Sequence, residues 1–241
     1  MIFKYSELSS FYKAIKTKKR VTSLANWNSD SNCIILRHDV DLHVKPAFDL
    51  ACLEKECGIE SSFLFLVNAD GYNPLSKINR TMIKQIADWG FDVGLHFDPT
   101  MYPTFDVNSL KKHVDFESQI ISDITQKEVK SISLHNPSIY NQYPIFDGYV
   151  NAYSNTLFSN ENYISDSCMS FRGKDIFTFF DKQIDKPFQL LLHPLHFSET
   201  GGDYNSIFTY FARTFLSYIE NDFRGNVTYN EQVKTPLQDQ F

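Results

Sequence analysis

Two aspartates separated by one residue, in the run Arg37-His38-Asp39-Val40-Asp41, and three histidines that each directly follow an apolar stretch are the residues best suited to chemistry. The histidines are His96 after DVGL, His135 after SISL and His193 after LLL. In extended chain, residues two apart project to the same side, so Asp39 and Asp41 can aim both carboxylates into one place. That arrangement suits a metal ion and a shared water. Alone, the run reads equally as a polar turn with an Asx cap. A lone histidine at a strand end reads more readily as a satisfied structural residue. Together they favour a site, because buried imidazoles and carboxylates need partners and a metal supplies one.

Aspartate and histidine without cysteine suit Zn²⁺ in an open catalytic site, with Co²⁺, Ni²⁺, Mn²⁺ and Fe²⁺ also compatible. Such a metal lowers the pKa of water and polarises a carbonyl. A neighbouring carboxylate then takes a proton, and a histidine returns one to the leaving amine.

These residues must be held by something, and the hydrophobic pattern says what. Buried strands are expected at Cys33–Leu36, Ser62–Val67, Phe91–Leu95, Val129–Leu134 and Gln189–Leu192. Helices are expected at Glu7–Thr17, from Lys45-Pro46 to Cys57, and at Thr81–Trp89, Asn108–Ile124 and Tyr204–Glu220. Short strands near Tyr149–Ala152 and Tyr163–Ser165 complete the set. Apolar strands alternating with helices imply a parallel sheet covered on both faces. The expected fold is α/β: an irregular (β/α) barrel of seven strands, one domain over residues 1–241. Residues 1–32 form a helix and lead-in, and 226–241 a polar, partly flexible tail. Active sites of such barrels lie at the C-terminal ends of strands, where these polar residues fall.

The net charge of −6 and the absence of a basic stripe with interleaved aromatics argue against nucleic acid as a partner. No stretch is long and apolar enough to span a membrane. Cys33, Cys52, Cys57 and Cys168 lack CxxC spacing and read as reduced, and the start of the chain lacks the apolar core of a signal peptide, so a cytoplasmic location is expected. Oligomeric state stays open.

In order along the chain, RHDVD, DVGLHFD, SLHNPS, ISDS and LLLHP resemble the motifs of the polysaccharide deacetylase superfamily, carbohydrate esterase family 4. They span Leu36 to Pro194. The branch most resembled is the divergent one associated with surface polysaccharide biosynthesis. The resemblance implies removal of an N-acetyl or N-formyl group from an amino sugar, sugar nucleotide or glycan by a metal-dependent hydrolase. It implies Asp39 as general base, Asp41 and His96 as metal ligands, His193 as general acid and Asp166 orienting His193.

Two departures stand out. The family's aspartate pair is adjacent, whereas Val40 intervenes here, so Asp39 and Asp41 could exchange roles. The family's second histidine lies four residues after the first, a position that is Thr100. His135 is taken as the replacement ligand, with Asp98 the alternative. The family holds an arginine at the place of His135, pairing with the base. A catalytically idle barrel that binds glycan or a biosynthetic partner is the competing reading. His38 is expected to pack on the face opposite Asp39, and His43 and His113 to lie on the surface. His196 either lines the site or is solvated, and Arg172 reads as a surface arginine or a contact for a substrate phosphate.

Overall fold

The computed structural model describes residues 3–240; residues 1, 2 and 241, at the ends of the expected lead-in and tail, lie outside it. The described chain divides into two compact units at the Glu199–Thr200 junction.

In the first unit, α1 (Tyr5–Lys18) leads to β1 (Arg20–Thr22) and β2 (Cys33–Val40), then α2 (Val44–Cys57), β3 (Ser62–Phe65), α3 (Lys77–Asp88) and β4 (Asp92–Phe97). There follow α4 (Val107–Thr125), β5 (Ser131–Leu134), the single-turn α5 (Pro137–Tyr140), β6 (Val150–Asn151), β7 (Tyr163–Ser165) and β8 (Phe188–Leu192). Every ladder is parallel. The strand path runs β6-β5-β4-β3-β2-β8-β7, with β1 added beside β2. These seven strands on one path are the irregular barrel expected from the alternation.

Local chemistry sets the helix limits. The His43 side chain accepts from the Lys45 amide to cap α2, Gly58 stops it in the left-handed conformation at φ 61, Ser76 caps α3 and Asp106 caps α4. His43 was expected on the surface. It is instead buried, because a cap must fold its side chain back over the first turn.

The sheet curls. Asp39 on β2 and Ser133 on β5 are three ladder steps apart, about 14 Å across a flat sheet, yet their side chains meet at 2.9 Å. The end strands β6 and β7 share no ladder among the described residues, so closure is left to side chains. The Gln189 amide donates to the carbonyls of Ala152 and Leu157, both at 2.9 Å. The rings of Tyr143, Tyr153, Phe158 and Tyr163 pack along the seam with centroids 4.9–5.6 Å apart.

Close strand packing also explains Gly94, two residues before His96. A Cβ there would collide with the Ser131 carbonyl and hydroxyl and with the Leu64 side chain. Gly94→Ala is expected to cost about 1–3 kcal/mol or more, the usual penalty for overpacking a core, measurable by urea unfolding. An unchanged midpoint would contradict this packing.

The second unit comprises α6 (Tyr204–Phe223) and α7 (Val227–Gln232), followed by a single turn at Leu237–Asp239. Asp203 and Ser206 form a capping box at the start of α6, and Asn226 caps α7. The Tyr229 hydroxyl donates to Glu220 at 3.1 Å. No helix among the described residues is long and apolar enough to cross a membrane.

Candidate metal centre and acid–base site

Strand alternation splits RHDVD into two sets. His38, turned away from the interior, lies 2.8 Å from Glu54 and 3.1 Å from the Leu192 carbonyl. Tyr12 and Ser61 also donate to Glu54, so this buried network ties α1, α2, β2, β3 and β8 together beneath the site. His38 therefore packs, as expected.

Arg37 and Asp39 face inward. Arg37 is wholly buried, with Nη2 3.5 Å from Asp39 Oδ2 and donating to the Tyr153 hydroxyl at 2.9 Å. Its guanidinium lies 4.6 Å from the centroid of the Tyr153 ring. Burial works against its charge, but the Asp39 carboxylate outweighs that and holds the guanidinium protonated. The second oxygen of Asp39 accepts from the Ser133 hydroxyl at 2.9 Å. Asp39 is thus a buried carboxylate fixed from two sides.

Asp41, one residue past β2, lies in a different setting. Its Oδ1 is 3.1 Å from His96 Nε2 and 3.3 Å from His135 Nδ1, and those two nitrogens are 3.1 Å apart. Ligands held about 2.0–2.1 Å from a tetrahedral ion stand about 3.3 Å from each other. The three atoms therefore already outline one face of such a shell. Asp41 Oδ1 is also buried without a hydrogen-bond partner among the described residues. Burial alone would push this carboxyl up; when His135 and His96 carry protons on the facing nitrogens they outweigh it and hold it well below the usual carboxylate range.

Strand register fixes the histidines. His96 pairs with Ser133 across the β4–β5 ladder, bringing Nδ1 within 2.6 Å of the hydroxyl. Because that hydroxyl donates onward to Asp39, Nδ1 must carry the His96 proton, and Nε2 is left with its lone pair facing Asp41. His135, at the end of β5, has the Asn136 amide 2.9 Å from Nε2. The Asn136 Nδ2 donates to that nitrogen, which places the proton of the neutral His135 ring on Nδ1, facing His96 Nε2 3.1 Å away, where a bound metal would displace it.

Across the pocket, His193 ends β8. Its Nδ1 is 2.6 Å from Asp166 Oδ1, its backbone N–H donates to the same carboxylate, and Nε2 is 3.8 Å from Asp41 Oδ2. Burial would lower the imidazole pKa, but Asp166 outweighs it and raises the value to about 9. Asp166, fully buried, is held down at about 2 despite the opposing effect of burial, His193 being the chief cause. His196 also bonds Asp166, through Nδ1 at 2.9 Å. It is buried beside the dyad, not solvated.

The structure thus brings Asp39, Asp41, His96, His135, Asp166 and His193 to one end of the strands. Asp98, the alternative ligand, is turned aside: its Oδ1 caps the following turn, accepting from the Thr100 amide at 2.9 Å and hydroxyl at 2.7 Å. His113 is half-buried and stacks on Tyr102 at 3.8 Å, a correction to its expected surface place. Sequence reasoning left Arg37 and Ser133 without a role. Both carried the same signal as Asp39, being polar residues on the inward face of a buried strand.

A cavity of about 290 Å³ opens over Asp39, Asp41, His96, His135 and His193, walled by Tyr143, Tyr153, Phe158 and Tyr163. No protein-family model and no curated protein matches the chain. Among solved structures it is similar to a CE4 family pseudoenzyme from Bacillus anthracis, at 15% identity over 77% of this chain and 62% of that one, with a TM-score of 0.45. It is also similar to the chitin deacetylase of the fungal pathogen Colletotrichum lindemuthianum, at 13% identity over 75% of this chain and 81% of that one, with a TM-score of 0.47. A family 4 carbohydrate esterase from Bacillus anthracis matches at 15% identity over 77% of each chain, with a TM-score of 0.42. The chain spans less than two thirds of the length of the first of these.

Proposed function

We propose that the chain is a metal-dependent hydrolase of the polysaccharide deacetylase kind. It removes an N-acetyl or N-formyl group from an amino sugar, sugar nucleotide or glycan during surface polysaccharide assembly. The observation that carries this reading is the division of labour at one strand end. Three ligand atoms stand at tetrahedral spacing in Asp41, His96 and His135, between a fixed carboxylate, Asp39, and a protonated imidazole, His193.

A divalent cation held by Asp41, His96 and His135, zinc foremost, would supply a Lewis acid that acidifies water and polarises the amide carbonyl. Asp39, which donates nothing to that cluster, accepts the proton of the attacking water as its oxygen bonds to the carbonyl carbon. His193 Nε2, whose other nitrogen is anchored on Asp166, gives its proton to the amide nitrogen. The C–N bond then breaks to release a carboxylic acid and a free amine. The aromatic wall offers flat faces for the sugar ring and displaces water from it.

The test is release of acetate or formate from a panel of N-acylated sugars by metal-loaded protein. Inactivity on the whole panel would overturn the proposal and leave the glycan-binding barrel in its place. The pH profile gives a second expectation. His193 serves as acid only while protonated, so kcat should fall as pH rises through about 9. In Asp166→Asn the support for the imidazolium is lost, and this limb should move toward neutrality. A limb unmoved by that substitution would remove His193 from the acid role.

A further inference from the structure

Charge is unevenly distributed over the pocket. Its acidic lining residues, Asp39 and Asp41, both belong to the floor, whereas its lysine and arginine, Lys174 and Arg172, come from the loop after β7. Lys174 is held in place, donating to the carbonyls of Tyr163 at 2.8 Å and Asn160 at 3.2 Å, with Nζ 5.1 Å from the centroid of the Phe179 ring. Arg172 is exposed, and its guanidinium makes no hydrogen bond or ion pair with any described residue. The backbone that presents them is strained. Cys168, Met169 and Arg172 all have positive φ, at 60°, 52° and 51°, with Gly173 next at 75°. Non-glycine residues in this region cost about 1 kcal/mol or more each, and such strain persists where surrounding structure holds it, commonly at ligand sites. Beside them the Ser165 and Ser167 hydroxyls, 2.6 Å apart, also line the pocket. The chain as a whole carries −6, so an anion is drawn here by local charge and not by the general field.

We propose that this rim is an anion subsite, and that the amino sugar acted on carries a phosphate or carboxylate which Arg172 and Lys174 hold while its N-acyl group reaches the floor. This rests on the deacylase reading. A neutral sugar would leave the exposed Arg172 guanidinium without a charged counterpart among the described residues.

The kinetic test compares N-acetylglucosamine, its 1-phosphate and N-acetylmuramic acid with wild type, Arg172→Ala and Arg172→Lys. Charge-assisted hydrogen bonds are about twice as strong as neutral ones, so Arg172→Ala should raise KM for the charged sugars about tenfold or more. It should leave kcat and the neutral sugar nearly unchanged, and Arg172→Lys should recover part of the loss. The larger of the two penalties tells phosphate from carboxylate. Equal effects on neutral and charged sugars, or none, would overturn the subsite. A binding test separates this outcome from failure of the deacylase reading: glucose 1-phosphate has no acyl group to lose, and by calorimetry it should bind wild type more tightly than glucose does, an advantage lost in Arg172→Ala. That result, without turnover of any sugar, would keep the subsite and discard the deacylase.

Discussion

Asp39→Asn is expected to lower kcat by about 10²–10⁴, the range typical of a lost general base, while the metal stays bound. The same substitution should also destabilise the protein, and the reason lies in Arg37. That guanidinium is completely buried, and Asp39 is the carboxylate beside it. Removing one partner of a buried ion pair leaves an uncompensated charge, a loss of about 3–5 kcal/mol. Two effects on one residue must be told apart, and the double variant Arg37→Met/Asp39→Asn does so. Without the stranded cation most of the stability should return, since a buried pair replaced by apolar groups is often neutral. The rate should not return. Recovery of both would mean that Asp39 served only to neutralise Arg37, and the base would have to be sought at Asp41.

The second large effect concerns metal. His96→Ala and Asp41→Asn are expected to abolish stoichiometric binding of Zn²⁺ at neutral pH, as read by metal analysis after dialysis. Ser133→Ala, which removes only the hydroxyl beside His96 Nδ1, should weaken binding by roughly 10–100-fold, the usual cost of losing a supporting hydrogen bond. Asp98→Asn should change nothing, because Asp98 is committed to Thr100. A result in which Asp98→Asn sheds the metal and His135→Ala keeps it would reverse the choice of third ligand. Acidification should release metal as well: burial would lower the His135 pKa, but Asp41 outweighs it and raises it, and a bound metal must displace the proton from the coordinating nitrogen, so affinity falls as pH drops.

Much of this was legible before any coordinates. The five main strands were expected within a few residues of their observed limits, and β7 was expected over the residues it occupies, because buried parallel strands read as short apolar runs. The histidines at strand ends were visible for the same reason: a polar residue terminates each run. Strand β1, Arg20–Thr22, was not expected. Arg37 shares the inward face of Asp39 by strand alternation, but its other partner, Tyr153, lies 116 positions away and could not be read from RHDVD. In the family pattern that the motifs resemble, the arginine paired with the base stands at the place of His135. Here a histidine occupies that place, and the cation beside Asp39 comes from Asp39's own strand. His43 shows the converse limit. Its type and neighbours look like a surface loop, and only the direction of the chain entering α2 turns it into a cap.

The seam between β6 and β7 gives the pocket wall a character of its own. Amides in β2, β3 and β4 lie between two neighbouring strands, whereas the residues linking β6 to β7 rely mainly on local turn bonds, a few side-chain bonds and four rings in tilted and edge-on contact. Segments with fewer shared backbone bonds exchange their hydrogens through smaller, more frequent openings than the core does. Hydrogen exchange is therefore expected to be slower in the floor than in the wall. Asp39, Asp41, His96 and His135 belong to the floor, and the aromatic rings to the part expected to open more often and to adjust without disturbing the distances among those four residues.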